Sequence, residues 1–109
     1  EQQFDAIFSL AALFHVPREQ LRNVLVTFHN HLHSSTNPCS NGGDGGGYLL
    51  LSLPHGNRNE LGKDGRWMHY MPRRQQMQLL RDVGFEILTT RKISQYNGHD
   101  WIVTLCQKK

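Results

Sequence analysis

The sequence predicts an α/β fold, half of a doubly wound sheet in the order β-α-β-α-β-β, with two parallel strands and a C-terminal antiparallel hairpin. Three observations predict it. Two short, nearly unbroken apolar runs at residues 4–10 (FDAIFSL) and 48–53 (YLLLSL) flank an amphipathic helical pattern, which is the mark of a parallel βαβ unit. Near the other end, Asn97-Gly98 lies between two strand-like runs, the strongest short hairpin signal. The first apolar run also starts almost at residue 1, whereas a strand so apolar is normally buried on both faces with neighbours at either side. The 109 residues are therefore expected to be one partial domain, the later half of a domain whose first half lies outside the given sequence.

Each element follows from its residue pattern. Residues 4–10 read as a buried strand. Pro17 suits the first helical position, and Leu21, Val24, Leu25, Phe28 and Leu32 recur along one face of a helix of about four turns. Residues 34–47 (SSTNPCSNGGDGGG) have nothing to bury and read as a flexible low-complexity insertion. Gly47 and Pro54 bound the second buried strand. A polar connection over 54–65 leads to Arg66, Trp67, Met68, His69 and Tyr70, and Pro72 then opens a helical pattern carrying Met77, Leu80 and Val83. Gly84 is placed to close that helix in a left-handed conformation, with Phe85 packing back on the last turn. Residues 85–93 and 100–106 are the two strands of the hairpin.

Composition narrows the class. A chain with 38% hydrophobic and 19% charged residues is that of a globular protein, and no apolar stretch approaches the roughly 18 to 20 residues that span a bilayer. No membrane association is expected, no signal peptide is evident, and a cytoplasmic location follows by default. Twelve basic against nine acidic residues give a net charge of +3, too small and too scattered to argue for nucleic acid. Cys39 and Cys106 have neither a metal spacing nor a disulfide framework, and both are expected to be free thiols.

With these residues, the order of elements resembles the C-terminal half of a class I S-adenosylmethionine-dependent methyltransferase, a Rossmann-like family. Phe4-Asp5-Ala6-Ile7 followed by Leu13-Phe14-His15-Val16 is similar to the family's fourth strand and the turn beyond it. Gly46-Gly47 leading into Tyr48-Leu49-Leu50-Leu51-Ser52 resembles its fifth strand. Asp64-Gly65-Arg66-Trp67 with Tyr70 is similar to the segment before the next helix in small-molecule members, and Leu79-Leu80 to Gly84-Phe85-Glu86 to the helix end that feeds the sixth strand. The resemblance covers the chain apart from the insertion. Missing are the family's glycine-rich loop after the first strand and the acidic residue that holds the cofactor ribose. The glycines at 42–47 are no substitute, because they precede a strand, whereas a nucleotide-binding loop follows one and opens a helix.

The resemblance implies a methyl transfer from S-adenosylmethionine to an acceptor, small-molecule or other, in which the protein mainly supplies proximity and orientation. It implies cofactor contacts from Ser9, Leu10 and Phe14, and acceptor contacts from His55, Arg66, Trp67 and Tyr70. His15 and Tyr70 are the candidate proton acceptors. The implied partner is the upstream cofactor-binding half of the same polypeptide, without which this chain is expected to bind cofactor poorly.

Two further readings compete with the enzyme half. A methyltransferase-like fold without catalysis can bind a partner through the unpaired edge of its opening strand. Alternatively, His29, His31 and His33, with the basic residues Arg58, Lys63, Arg66, Arg73 and Arg74, can serve a metal or a nucleic acid. His29 and His33 are one helical turn apart, as a metal pair would be, but the sequence places no third or fourth ligand, so no metal is expected.

Overall fold

The computed structural model describes residues 3–10, 13, 16–34, 46–56, 59–61, 65, 67–96 and 99–109. Its elements are β1 (Ala6–Ser9), α1 (Arg18–His31), β2 (Tyr48–Pro54), β3 (Asn59–Leu61), β4 (Trp67–His69), α2 (Arg73–Val83), β5 (Phe85–Tyr96) and β6 (His99–Lys108). The main sheet has the order β1-β2-β6-β5, and β3 and β4 form a separate two-stranded sheet. The parallel βαβ unit is present, with Ile7 opposite Leu49 and Ser9 opposite Leu51. β6 returns antiparallel to both β2 and β5, lying between them.

Both helices begin behind a proline and end as backbone chemistry requires. Pro17 and Pro72 each precede the first helical residue with an extended ψ, so Pro17 sits one position earlier than its predicted place inside the helix. α2 closes on Gly84 at φ +118°, where its N–H donates to the carbonyls of Leu80 and Arg81. A side chain here would be strained, and its Cβ would lie 2.8 Å from His29 Nε2. α1 instead ends on Leu32 in an extended conformation, and the Lys108 ammonium donates to the carbonyls of His29 and Leu32 at 2.8 and 2.9 Å. A cation from β6 thus adds a charged donor to the carbonyls at the end of the helix, where that of His29 also accepts the Leu32 N–H at 3.3 Å.

The core lies on one face of the sheet. Leu21 and Leu25 of α1 and Met77 and Leu80 of α2 pack with Leu49, Leu51 and Leu53 of β2, Phe85 of β5, and Ile102 and Cys106 of β6. Because side chains alternate along strands, the line Phe8, Leu50 and Leu105 points to the opposite face. Phe8 there is 72% exposed, and Tyr48 and Leu10 are exposed too, while Leu50 and Leu105 are only half-buried.

Three expectations change. The opening strand is shorter than predicted, with Phe4 joined only by an isolated parallel bridge to Leu32, and it is not buried on both faces. The connection after β2 carries the β3–β4 hairpin, with Leu61 opposite Trp67. The terminal strands run on to Tyr96 and back from His99, which pair with each other, while the predicted turn residues Asn97 and Gly98 lie outside the described residues. Residues 35–45 of the predicted insertion, Cys39 among them, also lie outside. Gly46 and Gly47 are buried where backbones crowd, and a Cβ on either would meet carbonyl oxygens at 2.8 to 2.9 Å, those of His33 and Lys108 at Gly46 and of Asp5 and Phe4 at Gly47. Close packing, not an anion, accounts for these two glycines.

Candidate functional site

The parallel pairing of β1 and β2 brings their carboxyl ends to one edge of the sheet, and the antiparallel β6 starts at that same edge, with Pro54 opposite Trp101. In open α/β sheets this edge is where ligands sit. His55 continues the ladder one step beyond β2, its N–H donating to the Asp100 carbonyl at 2.8 Å.

The edge is built largely by hydrogen bonds from side chains to backbone. The buried Gln76 amide donates to the carbonyls of Pro54 and Met71 at 3.1 and 2.8 Å, which fixes the end of β2 against the entry to α2. His55 Nδ1 accepts the N–H of Arg73 at 3.0 Å. The Arg18 guanidinium, at the start of α1, donates from Nε to the Tyr70 carbonyl at 3.0 Å and also from Nη2. Arg73 reaches across to the Thr90 carbonyl at 3.1 Å. The bonds from Gln76, His55 and Arg18 tie helix starts to the end of β2 or to the connection after it, and that from Arg73 ties the start of α2 to the middle of β5.

Tyr70 is the centre of a small second core with Met68 and Trp101. Only 4% exposed, its ring lies against Gly56, where a Cβ would approach to 3.2 Å. Its hydroxyl oxygen is 2.6 Å from His99 Nδ1 and 4.0 Å from Met68 Sδ. Asp100 lies 3.6 Å from the Lys92 ammonium.

The residues expected at the site divide as follows. His55 and Tyr70 are brought to this edge from opposite ends of the β3–β4 connection. Ser9, opposite Leu51, is buried on the helix-covered face, and Leu10 is exposed beyond it. Trp67 is 53% exposed on β4 beside Leu61. Phe14, His15 and Arg66 lie outside the described residues. Sequence reasoning missed His99 and Arg18 at this edge. His99 had one legible signal, its place directly after Asn97-Gly98, where a hairpin that ends at the carboxyl edge must present it.

The histidine triplet does not converge. His29 Nε2 donates to the Gly84 carbonyl at 3.2 Å and its ring stacks edge-on against Phe85, His33 faces Asp5 at 3.2 Å, and His31 is exposed. Among the described residues no three His, Cys, Asp or Glu side chains gather as a metal site would require. Burial, and then the nearby Lys108 ammonium, lowers the His29 pKa. Burial pushes the free Cys106 thiol up to about 12.

No family model matches the sequence, and no curated protein matches it. Solved structures do match the fold. The 1,6-didemethyltoxoflavin-N1-methyltransferase of Burkholderia thailandensis is 16% identical at a TM-score of 0.72, over 100% of this chain and 45% of its own. An S-adenosylmethionine-dependent methyltransferase of Methanosarcina mazei is 19% identical at 0.73, over 99% and 60%. The magnesium protoporphyrin IX methyltransferase of Synechocystis PCC 6803 is 16% identical at 0.65, over 100% and 41%. The chain therefore has the Rossmann-like fold of part of a class I methyltransferase and spans about half the length of the structures it matches. No helix among the described residues is long and apolar enough to cross a membrane.

Proposed function

We propose that this chain is the acceptor-side, C-terminal half of a class I S-adenosylmethionine-dependent methyltransferase, acting in the cytoplasm when joined to the upstream cofactor-binding half of the same polypeptide. The observation that carries the reading is the one-sided sheet: helices cover one face, Phe8, Tyr48 and Leu10 stand exposed on the other, and among the described residues β1, at the edge of the sheet, pairs with β2 alone. A doubly wound sheet covers that second face with further helices and that edge with further strands. The likeness to methyltransferases about twice as long supports the same reading.

The described residues fit one wall of a methyl-donor site and not the whole of it. Ser9 and Leu10 stand at the carboxyl end of β1, but no described strand leads through glycines into a helix, and Gly46 and Gly47 are occupied by backbone packing. When bound, the donor would supply an electrophilic methyl carbon on a sulfonium. This chain's own contribution is to bind and orient the acceptor, with His55, Tyr70 and Trp67 as the described residues nearest that task and Arg66 as a further candidate.

Calorimetric titration with S-adenosylmethionine tests the reading. A chain extended upstream is expected to bind, and the 109-residue chain to bind at least about 100-fold more weakly, as loss of the main binding loop would require. Equal absence of binding by both would instead favour the second reading, a non-catalytic module that receives a partner on the edge of β1, for which exposed Phe8 is the supporting observation.

A further inference from the structure

Small as a total, the net charge of +3 is unevenly spread. Residues 54–74 hold Arg58, Lys63, Arg66, Arg73 and Arg74 against Glu60 and Asp64, which accounts for all of it, and the rest of the chain is balanced. That connection starts beside His55 and ends at the entry to α2, both at the carboxyl edge of the main sheet. The described arginines there are not spent on carboxylates. Arg18 gives its Nε–H and one Nη2–H to the Tyr70 carbonyl, Arg73 bonds the Thr90 carbonyl, and among the described residues no carboxylate pairs with either. Asp100, the acidic residue of β6 at this edge, faces the Lys92 ammonium.

Two donors are left over. Holding one carbonyl through the Nε and Nη2 side of its guanidinium leaves Arg18 the parallel N–H groups of the Nη1–Nη2 end, the fork that fits an oxyanion. His55 Nδ1 accepts the Arg73 N–H, and a backbone amide can only donate, so the neutral ring carries its proton on Nε2, where no described residue accepts it. Arg18 is exposed and His55 half-buried, so a solute can reach both. The residues that anchor them, Tyr70 and Arg73, are close in sequence, on a stretch of at most about 11 Å.

We propose that the methyl acceptor carries an oxyanion, a carboxylate or a phosphate, that the Arg18 fork receives it, and that His55 Nε2–H donates to a further oxygen of the same molecule. The inference rests on the methyltransferase reading above and deepens it. A neutral carbonyl leaves the charge of Arg18 uncompensated, so an incoming anion takes the place that a carboxylate partner would otherwise fill. A sulfonium donor brings a positive charge of its own. A protonated amine would meet like charge from the donor, Arg18 and Arg73 together, whereas an anion is drawn in by all three. Because the guanidinium is already held at Tyr70, its fork loses little freedom when the anion binds.

Titration of the 109-residue chain at constant ionic strength, followed by the arginine Nε–H and histidine Nε2 signals in nitrogen-15 spectra, tests this without requiring turnover. Benzoate or phenyl phosphate is expected to bind at least about tenfold more tightly than benzamide, the neutral isostere of benzoate, and the tighter of the two names the oxyanion. Arg18→Gln is expected to abolish that preference and leave benzamide unchanged, with Arg18→Lys, which keeps the charge without the fork, falling between it and the parent. Arg22→Gln removes the same charge from an exposed position one turn further along α1 and is expected to change nothing. Equal binding of anions and benzamide, binding of neither anion, or an Arg22→Gln effect as large as that of Arg18→Gln overturns the proposal. So does a short single-stranded RNA that binds through Arg18 more tightly than either small anion, since the charge would then serve nucleic acid. Donor binding by the upstream-extended chain is read separately, so a missing donor site and a missing anion site give different results.

Discussion

The imidazole of His55 caps α2 from outside the helix: its Nδ1 accepts the N–H of Arg73, the first helical residue, at 3.0 Å. Pro72, in the capping position, has no side-chain oxygen to do so, and α2 has no acidic residue in its first turn. His55→Ala should therefore cost about 1 kcal/mol, the usual worth of a cap, with His55→Asn recovering part of it. Urea unfolding of the three proteins checks this, and an unchanged midpoint in His55→Ala would show that the bond contributes nothing.

Acid should weaken the packing of α1 on β5 through His29. Burial and the Lys108 ammonium hold its pKa below the ordinary 6.5, so the folded state keeps the ring neutral while the unfolded chain takes up a proton. The unfolded state then binds more protons below about pH 6.5, and stability, fully present above that value, falls as pH drops. In unfolding midpoints taken from pH 7.5 to 5, His29→Gln should show a shallower slope than the parent.

Alkali should act with the opposite sign through Cys106. Its thiol, ordinarily near 9.0, is pushed up to about 12 by burial, so between those values the unfolded chain loses a proton that the folded chain keeps. Stability should drop by about 1.4 kcal/mol per pH unit over that window. Cys106→Ala should lack that contribution to the slope, and the native thiol should resist iodoacetamide until the protein unfolds.

The open face of the sheet should make the isolated chain self-associate. Phe8, in line with Leu50 and Leu105, is the most exposed large apolar side chain on it. Phe8→Lys should lower the sedimentation-average mass at a given concentration without lowering the melting temperature, because the side chain removed supports no core. A parent chain that sediments as a single monomer would contradict this.

How far the fold was legible depended on whether a pattern was local. Gly84 and Phe85 were readable because one glycine geometry closes a helix, and β2 because five apolar residues and one serine between Gly47 and Pro54 permit little else. The β3–β4 hairpin was not, since its strands are three residues each and Glu60 and His69 mask any alternation. Nor could apolar runs reveal that β6 lies between β2 and β5, because strand order is set by pairing across the chain and not by propensity. At that edge, Tyr70 and His55 were named from the resemblance, whereas His99 and Arg18 are tied in by long-range hydrogen bonds that leave no periodic trace in sequence.

The position of β6 also sets a kinetic constraint. β5 has no ladder to β1 or β2 except through it, and Tyr48 is matched with Gln107, 59 positions downstream. Helical turns can form early from neighbouring residues, but the four-stranded sheet is joined only when β6 pairs across long stretches of chain, so refolding should be slow for a protein of this size and the barrier sensitive to changes in the keystone strand.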